Sequence, residues 1–252
     1  MALFKNEIPI LEYDDAWQAV IMPNREERDR FPERAVFPFL GGEVETFAKS
    51  HDCAVIGEFV SMTKLYPIYR TVYRGQEVCF CEAPVGAAAA VQIMEYLIGY
   101  GVRKIVSAGS CGVLVPMEEN EFLIPVEALR DEGTSYHYLP PSRTVCSDPD
   151  AVKAIERAFD RCGVRHQRCK TWSTDGFFRE TRDMVDYRKG EGYAVVEMEC
   201  SALTACAQFR GIKFGQFLYT ADTLADVQDD RGWGMASVST ALQLCFEAVM
   251  EL

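Results

Sequence analysis

The run VVEMECSALTAC (195–206) sets Glu197 and Glu199 on either side of Met198, behind two valines and ahead of small residues at helical spacing. Carboxylates rarely leave water without partners, because desolvating a charge costs several kcal/mol. If the valines begin a strand, the two-residue period sends both glutamates to one face and Met198 to the other. Glu199 then stands where a helix starts, a place whose dipole favours an anion. A carboxylate there can accept hydrogen bonds from a vicinal diol such as that of a ribose, and Met198 offers an adaptable apolar wall. A capping or salt-bridged glutamate pair accounts for this segment equally well.

Three further stretches carry chemistry. Asp222 ends the apolar run KFGQFLYTAD (213–222). In an apolar pocket its carboxyl pKa would rise, letting it donate a proton near neutral pH; the plainer reading is a turn aspartate. SAGSCG (107–112) follows the apolar KIV, and in a turn the amides of Ser110, Cys111 and Gly112 can cradle a phosphate or sugar oxygen. The run is not GxSxG, so a hydrolase nucleophile elbow is not indicated. Cys111 as a nucleophile would need a base from His51, His137 or His166. In TWSTDGFFRETR (171–182), Phe177 and Phe178 could stack on a flat ligand with Arg179 and Arg182 beside them, although aromatics next to charges also mark a core edge. Cys162, His166 and Cys169 lack a fourth ligand in a matching pattern, so they read as helix and loop residues, and no metal is expected.

The elements that must position these groups are visible as periodicity. Strand-like runs recur at 53–60, 68–75, 77–84, 104–109, 122–129, 194–199 and 213–222. Helical spacing appears at 86–101, 148–163, 201–211 and from Met235 to the C-terminus. Asp148 followed by Pro149 reads as an N-cap and first helical residue, and Gly101, Gly163 and Gly211 read as stops. Strands alternating with helices predict an α/β domain with a parallel or mixed sheet over 36–252, behind an irregular, charged segment 1–35 in which Arg25 to Arg34 is solvated. In such sheets ligands lie beyond the carboxyl ends of strands, which is where Ser107–Gly112, Glu197–Glu199 and Asp222 fall.

Composition narrows the partners. With 252 residues, 48% hydrophobic and 25% charged, the chain can build its own core. Its net charge of −12, with no basic stripe, argues against nucleic acid. No stretch approaches about 18 consecutive apolar residues, so no membrane partner is expected. MALFKNEIPILEYDD lacks a signal-peptide core, and the ten cysteines then read as free thiols in a cytoplasmic protein.

Taken together, VVEMECSALTACAQFRG, the strand ending in Asp222, the SAGSCGVL run and LRDEGTSYHYLPPSR (129–143) resemble the nucleoside phosphorylase superfamily in order and spacing over roughly 68–250. That group includes uridine phosphorylases, hexameric purine nucleoside phosphorylases and methylthioadenosine/S-adenosylhomocysteine nucleosidases. The resemblance implies one domain whose central mixed sheet is a partly closed barrel surrounded by helices. It implies that Glu199 binds the ribose hydroxyls with Glu197 in support, that Met198 packs on the sugar and that Phe177 flanks the base. Asp222 matches the aspartate that protonates a purine ring nitrogen, Ser110, Cys111 and Gly112 line the loop, and Arg182 or Arg179 is available to base or phosphate.

The chain departs from this pattern where phosphate is held. Phosphorylases carry an arginine at the position of Ser107 and another in an early glycine-rich turn, matched here by FPFLGGEVETFA (37–48) with Glu43. Bidentate arginine pairing is the main means of gripping phosphate, and Lys64 would replace it only in part. Glu43 before Val44 fits the nucleosidase glutamate that orients the attacking water. The resemblance therefore implies cleavage of a nucleoside, purine by Asp222, with either inorganic phosphate as co-substrate or water, and no cofactor. A non-catalytic nucleoside-binding protein and a Cys111-dependent hydrolase are the readings of other classes. A homodimer or homohexamer is implied as the assembly.

Overall fold

The computed structural model describes residues 3, 5–25, 30–225 and 231–252; positions 26–29 of the solvated Arg25–Arg34 segment thus lie outside the described residues. In chain order the elements are β1 (Arg34–Val36), α1 (Glu43–Ser50), β2 (Ala54–Val60), β3 (Leu65–Tyr73), β4 (Gln76–Phe80), α2 (Ala87–Gly99), β5 (Lys104–Val113), β6 (Phe122–Asp131), β7 (Thr144–Cys146), α3 (Pro149–Cys162), β8 (His166–Thr174), α4 (Arg182–Gly190), β9 (Val195–Glu197), α5 (Cys200–Arg210), β10 (Lys213–Thr223) and α6 (Val238–Val249). Among the described residues no helix is long and apolar enough to cross a membrane.

The strands form one mixed sheet, part of which closes on itself. β5 pairs with β10, β10 with β6, β6 with β8, β8 with β9, and β9 back with β5. This five-membered ring is a closed barrel, and β1, β4, β3 and β2 extend the sheet from β5 as an open wing. The expected α/β fold, a mixed sheet with a barrel wrapped by helices, is what the structure shows.

Alternation along the strands explains how both faces are buried. Ala35, Cys79 and Ile105 point into a cluster with α2 and α5, while their neighbours Val36, Phe80 and Val106 point into a second cluster with α3 and α6. Parallel strands covered on both faces need apolar residues at successive positions, which is why these runs lack a polar face. Capping follows the sequence. The Asp148 carboxylate accepts from the Asp150 amide, and Gly163 and Gly211 close α3 and α5 in the left-handed conformation that glycine adopts without penalty.

One local expectation is corrected. SAGSCG is not a turn after a strand but the second half of β5, laddered to β10 through Cys111 and to β9 at Gly112. An extended strand sends successive amides to opposite edges, so these do not converge into an anion nest.

Candidate active site

The carboxyl ends of β5, β8, β9 and β10 border one cavity of about 440 Å³, within the range of small-molecule sites. Its lining includes Ser110, Cys111 and Gly112 from β5, Phe177 beyond β8, Glu197, Met198 and Glu199 between β9 and α5, and Asp222 near the end of β10. Glu199 and Asp222 therefore share one hollow. Glu43, at the start of α1, is not among the lining residues, and neither are Arg179 and Arg182. Arg182 instead donates to the Leu224 carbonyl at 3.1 Å, two residues beyond Asp222, and so ties down that strand end.

The two glutamates have divided roles. Glu197 is 6% exposed and accepts from the Ser173 and Thr171 hydroxyls at 2.5 and 3.2 Å. It also accepts from the Glu199 and Cys200 amides at 2.8 and 2.7 Å, which caps α5. With four donors on its two oxygens, Glu197 is committed to holding the backbone around Glu199. The Glu199 carboxyl, also 6% exposed, accepts from the Gly86 amide at 2.5 Å, where α2 begins. Burial first and the charge of Glu197 second push its pKa up to about 8, against the Gly86 hydrogen bond, which lowers it. It is therefore mostly a neutral acid at pH 7, able to accept from one hydroxyl and donate to another.

Asp222 lies against backbone that has no room for a side chain. A Cβ on Gly112 would meet Asp222 Oδ1 at 3.1 Å and Leu224 Cδ1 at 2.8 Å, so glycine lets this carboxyl approach β5. Burial raises the Asp222 pKa, opposed by a backbone hydrogen bond and by the charge of Arg231. Glu180, which the sequence reading passed over, lines the same cavity and is pushed up to about 7, first by burial and then by the charge of Asp222. A buried carboxyl raised further by a neighbouring carboxylate retains a proton near neutrality.

Other lining residues were also missed. Gln216 is the polar residue within the stretch FGQFLY of β10 and lines the cavity, a signal the sequence does carry. Phe39 packs on Gly109, where an added Cβ would meet its ring at 3.3 Å. Trp233 stands over the cavity with φ of +60° between two glycines. The Glu119 carboxylate accepts from the amides of Gly232 and Gly234 at 3.0 and 2.6 Å and holds that turn.

The positions discussed for phosphate are accounted for. Ser107 is buried and donates to the Phe37 carbonyl at 2.7 Å. Lys64 pairs with Glu82 at 2.8 Å and is not among the lining residues. The lining holds four carboxyl groups, and among the described residues it includes no Lys, Arg or His.

Cys111 is buried, donates to the Tyr219 carbonyl at 3.5 Å, and has its pKa driven far up by burial and then by Cys169, Glu197 and Asp222. A thiol in that state is a poor nucleophile. Iodoacetamide at pH 7 is expected to modify exposed Cys146 and Cys162 while leaving Cys111 free and turnover intact. Peptide mapping that finds Cys111 alkylated first, with activity lost in step, would restore the nucleophile.

Comparison with known proteins agrees with this architecture. A family model described as the phosphorylase superfamily matches residues 33–251. The chain belongs to the phosphorylase superfamily. Within it, a guanosine phosphorylase from Halorubrum lacusprofundi is 27% identical over 184 residues, covering 73% of this chain and 75% of that protein. A uridine phosphorylase from Thermococcus kodakarensis is 24% identical over 195 residues, covering 72% and 70%. Among solved structures, purine nucleoside phosphorylase from Toxoplasma gondii superposes with a TM-score of 0.77 at 18% identity, covering 93% of this chain and 97% of that one. AMP nucleosidase from Bacteroides thetaiotaomicron gives 0.71 at 21% identity, covering 87% and 88%. The superfamily fold is thus shared by proteins named as phosphorylases and as a nucleosidase.

Proposed function

We propose that this protein cleaves the N-glycosidic bond of a purine nucleoside, releasing the free base and leaving the sugar as ribose 1-phosphate or ribose. The observation that carries this reading is the single cavity lined at once by the Glu199 carboxyl, Met198, Phe177 and the Asp222–Glu180 pair. A ribose diol at Glu199 has both a donor and an acceptor to meet. A base flanked by Phe177 reaches the carboxyl pair, whose shared proton passes to a ring nitrogen as the C–N bond lengthens. Protonating the leaving base and fixing the sugar both favour an oxocarbenium-like transition state, as in glycoside hydrolysis.

The test is a panel of purine and pyrimidine nucleosides, with free base and both sugar products measured separately, in the presence and absence of phosphate. Purine release well above pyrimidine release is the expected result. Saturable binding of nucleosides without turnover would make the protein a binding module instead.

A further inference from the structure

Gln216 lies within β10, beside Ser107 of β5 in the ladder. It is 6% exposed and lines the cavity, yet neither its Nε2 nor its Oε1 has a hydrogen-bond partner. Buried polar groups are almost always paired, so an amide with both ends unmatched is either a defect or half of a ligand site. The neighbouring Ser107 hydroxyl donates to the Phe37 carbonyl and makes no hydrogen bond with Gln216. Gln216 precedes Asp222 by six residues, on the order of 20 Å of strand, so it marks the far end from the proton-donating pair. Two residues beyond Ser107 on β5, Gly109 is covered by Phe39, which lines the same cavity.

We infer that Gln216 holds the acceptor for the cleaved sugar, and that this acceptor is water. The inference rests on the glycosidic-bond cleavage proposed above. A primary amide offers donors on one atom and an acceptor on the other, matching a water molecule that must accept one hydrogen bond and donate another. A phosphate dianion would bring two negative charges into a cavity whose described lining supplies carboxyls and no cation to offset them. The amide sets the direction of the water's lone pair toward the anomeric carbon. In the step, the water oxygen bonds to that carbon and the C–N pair leaves on the base. The Asp222–Glu180 carboxyls give one proton to the base, and the proton released by the water goes to solvent, from which those carboxyls are recharged.

The test uses the full chain with Gln216→Leu, and with Gln216→Met as an unbranched replacement should leucine not fit. The wild type is expected to release free ribose at the same rate with or without phosphate. Each variant is expected to lose about 30-fold or more in kcat while KM moves by less than about threefold. Tm should hold or rise, because an unmatched buried amide has been removed. Phosphate-dependent formation of ribose 1-phosphate would overturn this inference and leave the glycosidic-bond reading standing. So would unchanged kcat in both variants, or a fall in Tm that tracks the loss of activity and marks the amide as structural. Failure to cleave any nucleoside under either condition overturns both readings together.

Discussion

Asp222→Asn is expected to lower purine nucleoside turnover by about two decades or more, the usual contribution of a positioned general acid. The replacement keeps the shape that Gly112 accommodates, so the packing of β10 against β5 is retained. What is lost is the acidic proton of a carboxyl that burial holds above its ordinary range. With Asp222 neutralised, Glu180 no longer feels its charge and should titrate below its present value of about 7. In the wild type the pair retains a proton below about pH 7, so kcat/KM should fall as pH rises beyond that point. In the variant that limb should move down or vanish. A 7-methylated purine nucleoside already carries a positive ring and should be cleaved almost as fast by the variant. Equal losses on the methylated and ordinary substrates would show that Asp222 positions the base without donating to it.

The second large effect concerns Glu199. Glu199→Ala should raise KM for ribonucleosides and cut kcat, because the two hydroxyl contacts proposed for this carboxyl would be lost. Equal losses on 2′-deoxynucleosides would remove the 2′-hydroxyl from the account. Glu199→Gln should be far milder at pH 7, since an amide reproduces the donor and acceptor of a neutral carboxyl. Stability gives an independent reading. The folded protein holds this proton up to about pH 8, whereas an unfolded chain releases it near the ordinary glutamate value. Between those limits the folded state binds more protons, so its stability falls as pH rises, then levels above pH 8. Glu180 acts in the same direction up to about pH 7. Wild-type Tm should therefore be higher at pH 5.5 than at pH 8, by a free energy of a few kcal/mol. Glu199→Gln should flatten much of that slope; an unaltered slope would mean that Glu199 is already ionised.

Much of this was legible because it rests on local pattern. Short runs rich in apolar, β-branched and aromatic residues located most strands, and Asp148-Pro149 and Gly163 located the limits of α3, since caps depend on a few neighbouring residues. Glu199 and Asp222 could be singled out because each ends an apolar run. The strand His166–Thr174 was missed because its first half is polar, HQRCK, and it becomes a strand only through its parallel ladder with β6. The SAGSCG run looked like a turn by its glycines, but those glycines serve close packing. Gly109 admits Phe39, and Gly112 admits Asp222 and Leu224. Propensity is overridden where tertiary contact sets the need for a missing side chain. Glu180 and Gln216 join the cavity only after β8 and β10 come together around the ring, a relation that no linear spacing encodes.

Ring closure also governs when this protein can exist during synthesis. β5 meets β10 along its length, with Lys104 beside Lys213 and Cys111 beside Thr220. A nascent polypeptide that has emerged only as far as α5 therefore carries β5 with one bare edge, the kind of template that recruits foreign strands. Pairings between such distant parts form slowly, so the growing chain waits on the ribosome with that edge uncovered. Chaperone dependence during translation, and rapid aggregation of fragments that stop short of Lys213, follow from the geometry of one closing strand.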